Sequence, residues 1–114
     1  MTSQTNARSS ILPSTVVLEA QNGTIQLSTL GDSATVSVTY PSMAVGQSVG
    51  ARWSGKVMYH TPIQTVIDIK TLQFLIPKGN IEADLNASGT VTYSVGSGNG
   101  PINISAPLSV KVIA

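Results

Sequence analysis

His60 is the single histidine of this 114-residue chain, and it is the only side chain that ordinarily titrates near neutrality. It stands in the segment Tyr59-His60-Thr61-Pro62, which we expect to form a loop or a strand end. A catalytic triad would need a carboxylate to hold this imidazole beside a nucleophile, and the sequence carries no ordered signature of that kind. We therefore expect no enzymatic activity, and we interpret Tyr59, His60 and Pro62 as a candidate ligand-contact loop.

The carboxylates offer little for a metal ion. Glu82 and Asp84 are close in sequence, and Asp32 or Asp68 could join them in a calcium site. Calcium takes about six to eight oxygen ligands, and no aspartate-dense loop is present to supply them. Because cysteine is absent, thiolate metal sites and disulfides are excluded. We interpret Glu82 and Asp84 as solvated charges on a helical turn, and we expect neither a metal ion nor a cofactor.

Aromatic residues could instead bind a sugar. Trp53 and Tyr59 are the candidates for a stacking platform, but Trp53 alternates with the polar residues Arg52 and Ser54. That alternation favours a core indole over an exposed one. A stand-alone carbohydrate-binding, lectin-like sandwich is the alternative function that this pattern leaves open.

Composition excludes two classes of partner. Charged residues make up 10% of the chain and give a formal net charge of +1. The basic surface of a nucleic-acid binder is therefore missing. No stretch approaches the roughly 20 apolar residues of a membrane helix, and residues 1–10 lack the apolar core of a signal peptide. We expect a flexible polar arm over residues 1–11 and one domain over residues 12–114.

The elements that must position these residues are strands. Alternation of apolar and polar residues, which marks a strand with one buried face, is strongest over 34–40, 91–95 and 108–112. Weaker runs predict strands over 15–20, 25–27, 49–57, 63–69 and 72–76. Asn22-Gly23 favours a hairpin turn with positive φ at both positions. Pro77 begins the one segment, 77–85, that suggests a short helical turn.

These elements predict an all-β fold. The chain has no room for the helices that connect parallel strands, so the sheets must be mainly antiparallel. Seven to eight short strands, with frequent turns and one helical turn near 77–85, are typical of an immunoglobulin-like β-sandwich of Greek-key type. In such a sandwich Trp53 would lie in the core. Tyr93 would form a tyrosine corner by bonding its hydroxyl to the preceding loop, near residues 84–89.

Several segments also carry turn and core residues in a recognisable order. They are Leu12-Pro13, VVLEA at 16–20, VTYPSMAVGQ at 38–47, WSG at 53–55, FLIPK at 74–78, VTYSV at 91–95 and SAPL at 105–108. Together they resemble the immunoglobulin-like repeats of large bacterial surface and adhesion proteins. The resemblance covers nearly the whole chain from Leu12, and its elements are specific for fold rather than for activity.

The resemblance implies a function without catalysis. The chain would be a structural or adhesive module of a secreted or cell-surface protein that spaces domains, displays loops and associates with protein. We expect the partner to be a neighbouring repeat or a second copy, contacted through edge strands, with a glycan as the alternative. The first strand (15–20) and the last strand (108–113) carry one charge each and are the expected edges.

Overall fold

A computed structural model describes residues 12–98, 100 and 102–114. The predicted arm, residues 1–11, lies outside these residues. The strands are β1 (Val16–Val17), β2 (Thr24–Gln26), β3 (Ser33–Val38), β4 (Ser48–Ser54), β5 (Tyr59–His60), β6 (Gln64–Thr65), β7 (Leu72–Pro77), β8 (Ser88–Gly96), β9 (Asn103–Ile104) and β10 (Leu108–Ile113). Helix α1 (Lys78–Glu82) follows β7 directly, and a 3₁₀ turn (Leu27–Thr29) follows β2.

Two sheets form an all-β sandwich. The smaller sheet has the order β1-β3-β7. The larger sheet has the order β2-β10-β8-β4-β5, with β6 also paired to β4 and β9 paired to β8. Pairing between the named strands is antiparallel except between β2 and β10, which run parallel. The expectation of mainly antiparallel sheets is therefore confirmed.

Side chains that alternate inward from both sheets share one core. Alternate residues of β3, β7 and β8 are buried along the full length of each strand. Trp53 lies among them with 1% of its surface exposed, as its alternation predicts. This layer of buried apolar side chains between the sheets supplies most of the hydrophobic stabilisation of the fold.

Local turn chemistry also follows the sequence. Asn22 and Gly23 have φ values of 53° and 76°, and Gln21 pairs with Thr24 across them. This is the two-residue turn that Asn-Gly favours, because both central positions must tolerate positive φ. The predicted helical turn near 77–85 is present as α1, which buries Ile81.

Three strand predictions are wrong in detail. The run 63–69 contributes only the two-residue strand β6, and Ile63, Ile67 and Ile69 are exposed. The run 15–20 contributes only β1, because the chain turns away from the sheet after Leu18, whose amide still bonds to Thr35. The last strand, β10, is not an edge, since β2 and β8 flank it on both sides. The described part of the chain forms ten strands where seven to eight were expected, because four of them are two-residue pairings.

Candidate functional site

The predicted ligand-contact loop is divided between two faces of the larger sheet. Tyr59 and His60 form β5, where Tyr59 pairs with Trp53 and His60 pairs with Arg52. Neighbouring residues of a strand point to opposite faces. Tyr59 therefore packs against the core, whereas His60 is exposed on the outer face, and Pro62 is exposed beyond the strand. The structure does not gather the three side chains into one loop, so their contact with a ligand stays a prediction.

A small cavity of about 80 Å³ lies on the outer face of the larger sheet and includes His60 in its lining. Arg52 stands at the centre of one row of side chains across this cavity. His60 of β5 is opposite Arg52 on one side, and Thr92 of β8 is opposite it on the other. The guanidinium, the imidazole and a hydroxyl group are thus brought together by strand register. Alternation with Trp53 could have placed Arg52 on the outer face, but the sequence did not indicate its neighbours.

A second row of residues crosses the same cavity beside the first, and its side chains are either small or apolar. Gly50 of β4 is opposite Ser94 of β8, which is opposite Ile104 of β9. The side chain of Ile63 covers Gly50, since a Cβ atom built on this glycine would lie 2.7 Å from Cδ1 of Ile63. Ile63 and Ile104 are 64% and 57% exposed, so both present accessible apolar surface in the lining of the cavity.

A separate feature is the edge of the smaller sheet at β7. The amide of Leu18 donates to the carbonyl of Thr35, so the odd-numbered residues of β3 direct their backbone groups towards β1. The even-numbered residues of β3 therefore face β7, where Val36 is opposite Phe74. It follows that the odd-numbered residues of β7 direct their backbone groups away from the sheet.

Gln73 and Leu75 are the odd-numbered residues in the middle of β7. The side-chain amide of Gln64 donates to the carbonyl of Gln73 at 2.7 Å. Among the residues that the structure describes, the N–H of Gln73 and both backbone groups of Leu75 have no hydrogen-bond partner. The side chain of Leu75 is 57% exposed on the outer face. This edge can therefore accept another strand.

The opposite edge of the smaller sheet is closed by a side chain. Where β1 leaves the sheet, the carboxylate of Glu19 accepts a hydrogen bond of 2.6 Å from the amide of Thr35 and one of 2.9 Å from its hydroxyl. Glu19 thereby supplies the acceptor that the amide of Thr35 would otherwise lack on the β1 side of the sheet. Proteins commonly protect sheet edges with such charged groups.

Asp84 corrects one prediction from the sequence. Glu82 is exposed as expected, but Asp84 is only 3% exposed and is not a solvated charge. Its Oδ2 accepts a hydrogen bond of 2.9 Å from Nε1 of Trp53, and its Oδ1 accepts one of 3.0 Å from the amide of Lys56. A buried indole needs an acceptor for its N–H, and this requirement was the signal that could have indicated a buried carboxylate.

The sugar-stacking platform and the tyrosine corner are also corrected. Burial of Trp53 leaves no exposed indole face beside Tyr59. The hydroxyl of Tyr93 is buried and has no hydrogen-bond partner within the described part of the chain, so it does not bond to the loop near residues 84–89. Instead the ring stacks on Tyr40, with centroids 5.9 Å apart. Burial, and then the neighbouring Tyr40, raise the pKa of Tyr93 to about 12.

Metal ligands and membrane-spanning helices were sought across residues 12–98, 100 and 102–114. No three His, Asp or Glu side chains converge there in a group that could hold a metal ion. In the same residues, no helix is long and apolar enough to cross a membrane. Comparison of the chain with protein-family models, curated proteins and solved structures found no match.

Proposed function

We propose that this chain is a non-catalytic, immunoglobulin-like module of a bacterial surface or secreted protein, and that it associates with a second copy through the open edge of β7. The observation that carries the proposal is the outward backbone of Gln73 and Leu75. The partner is an extended protein strand, because only a strand can satisfy successive backbone donors and acceptors along an edge.

Strand order supports the immunoglobulin-like assignment. Immunoglobulin-like sandwiches place strands A, B, E and D in one sheet and C, F and G in the other. The order β1-β3-β7 fits A, B and E, and the order β4-β8-β10 fits C, F and G. The position of strand D, beside β7, holds no strand among the described residues. This difference is what leaves β7 at an edge.

Length distinguishes β7 from the other edges. Among the described strands, β1, β2 and β5 also lie at edges, and they contain two or three residues, whereas β7 contains six. Strand β7 carries no charged residue between Leu72 and Pro77. Its protection is limited to the Gln64 side chain and to Pro77, which lacks an N–H group.

The open edge of β7 can pair with the same edge of a second copy. In an antiparallel pair of two β7 strands centred on Phe74, Gln73 of one copy lies opposite Leu75 of the other, and the reverse pair is equivalent. Each such pair can exchange two backbone hydrogen bonds. The carbonyl of Gln73 has a second lone pair and can accept from Leu75 while it keeps its bond from Gln64. A two-fold axis through Phe74 therefore satisfies the open groups of both copies.

A catalytic role is not proposed. His60 is exposed and, within the described residues, donates no hydrogen bond to a carboxylate. A triad base needs such a carboxylate to orient it.

Sedimentation at increasing protein concentration tests the proposal. The wild type should form a dimer as the concentration approaches the millimolar range. Gln73→Pro should be monomeric, because proline removes the outward N–H without affecting the bonds to β3. Leu75→Lys should weaken the dimer by placing like charges at the edge. A control with the same change of side chain is Val45→Lys, at an exposed position in the loop between β3 and β4. A monomeric wild type, or equal effects of Leu75→Lys and Val45→Lys, would contradict the proposal.

A further inference from the structure

We infer that the cavity on the outer face of the larger sheet binds a carboxylate carried on a short aliphatic group. Arg52 would hold the carboxylate, and Ile63 and Ile104 would contact the aliphatic part. This site is independent of the association at β7, because it lies on the other sheet and uses none of the β7 residues.

The charge of the lining favours an anion. Arg52 and His60 are directly opposite on β4 and β5, where Cβ atoms lie about 5 Å apart. Thr92 is opposite Arg52 on the other side and adds a hydroxyl donor. None of the described residues that line the cavity is an Asp or a Glu. An incoming carboxylate would therefore meet cationic and neutral donors without a competing internal carboxylate.

Arginine also favours a carboxylate over a compact spherical anion. The guanidinium is planar, always charged and presents paired N–H donors that match the two oxygens of a carboxylate. A lysine at this position would supply the charge without that geometry. The side chain of Arg52 is exposed, so a ligand can reach it without any movement of the strands.

The row of residues that contains Gly50 determines what the remainder of the ligand must be. The rows that contain Arg52 and Gly50 are two residues apart along β4, which corresponds to about 7 Å. Because Gly50 has no side chain, Cδ1 of Ile63 lies over it, and Ile63 and Ile104 give this part of the cavity an apolar lining. A carboxylate on Arg52 would thus direct two or three attached carbons onto the exposed side chain of Ile63, towards Ile104. The volume of about 80 Å³ is well below the roughly 300 Å³ of sites for drug-sized ligands, so the group must be small.

Two sources can supply this chemistry, a free short-chain acid or the C-terminal carboxylate of a peptide. Nuclear magnetic resonance titrations of the backbone amides with propionate and with N-acetyl-Gly-Val distinguish them, because the true source should bind more tightly. Propionamide and the amide of the peptide are the matched uncharged probes. Saturable shifts should occur at Arg52, Thr92 and Ser94 with the acids only.

Substitutions at Arg52 test whether its guanidinium group contributes most of the affinity for the carboxylate. Arg52→Gln should weaken binding about tenfold or more, because a charged bidentate hydrogen bond is lost. Arg52→Lys should weaken it less. The matched control is Lys111→Gln, which removes the same charge from the exposed part of β10 on the same sheet.

Three results would overturn the inference. The first is the absence of a saturable shift with either acid, and the second is equal binding by the wild type and Arg52→Gln. The third is equal weakening by Lys111→Gln, which would indicate general attraction of anions. Each of these results can occur whether or not the protein dimerises through β7, so the two proposals fail separately.

Discussion

Nε1 of Trp53 donates a hydrogen bond of 2.9 Å to Oδ2 of Asp84, and both residues are buried. The second carboxylate oxygen accepts the amide of Lys56 at 3.0 Å. Asp84 thus connects the end of β4 to the turn that follows α1, across 31 residues of sequence. Because it satisfies two donors, Asp84 stabilises the position of the largest core side chain.

Asp84→Ala should lower the free energy of unfolding by about 3 kcal/mol, because two donors lose their buried acceptor. Asp84→Asn should have a smaller effect, since one oxygen remains to accept a bond. Glu82→Ala is the control, because Glu82 is exposed at the end of α1, two residues before Asp84, and its loss should change stability by less than about 0.5 kcal/mol. Chemical denaturation followed by tryptophan fluorescence measures all three. Equal effects of Asp84→Ala and Glu82→Ala would show that the buried bonds are not stabilising.

Gly89→Ala should destabilise the fold by about 3 kcal/mol or more, which is at the upper end for overpacking. A Cβ atom at Gly89 would lie 2.1 Å from Cζ2 of Trp53, and the indole cannot move because Asp84 and the core hold it. Gly79→Ala is the matched control, because outside its own helix and chain neighbours nothing lies within 4 Å of the added carbon. It should be neutral or stabilising, since alanine is the better helix former. Thermal unfolding of both variants measures the difference, and a stable Gly89→Ala protein would contradict the packing of Trp53 on this strand.

The two stacked tyrosines should respond oppositely to loss of their hydroxyl groups. Tyr40 donates its hydroxyl to Oε1 of Gln47, so Tyr40→Phe should cost about 1 kcal/mol. The Tyr93 hydroxyl is buried without a partner in the described residues, so Tyr93→Phe should increase stability by about 1 kcal/mol. Both variants keep the stacked rings. Denaturant titration measures each change, and a loss of stability in Tyr93→Phe as large as that in Tyr40→Phe would refute this assignment.

Alkaline pH should destabilise the protein through Tyr93. Burial, with a further contribution from Tyr40, raises its pKa from 10.0 to about 12. Between these values the unfolded chain has lost the Tyr93 proton and the folded protein keeps it, so the folded state binds more protons. Stability that is present below pH 10 is therefore lost as the pH rises towards 12. The unfolding free energy measured against pH should fall less steeply in Tyr93→Phe, and parallel curves for the two proteins would contradict the burial of this hydroxyl.

The sequence predicts the strands whose alternation is long. Strands β3, β8 and β10 and the buried position of Trp53 follow from a period of two, because only one face of each strand reaches the core. The same reasoning fails for 63–69, which is rich in isoleucine and valine but mostly finds no pairing strand. The hydrophobic pattern indicates which residues can be buried. It does not indicate which strand, if any, will pair with them.

The candidate sites depend on contacts that cross the chain. Arg52 meets His60 only because the turn between β4 and β5 sets their register, and no residue type in that turn predicted it. Asp84 is buried because the indole N–H of Trp53 requires an acceptor. The open edge at β7 follows from the order of strands in the sheet, which alternation cannot supply.

Amide hydrogen exchange at Gln73 and Leu75, measured in dilute and in concentrated protein, tests the proposed association most directly. Both amides point away from β3 and should exchange rapidly in the dilute monomer. We predict that both become protected as the concentration rises, because each would donate to the β7 strand of a second copy. The amide of Phe74, which already faces β3, serves as the internal control and should change little. Rapid exchange of Gln73 and Leu75 at every concentration, or protection that spreads equally to all exposed amides, would contradict pairing at this edge.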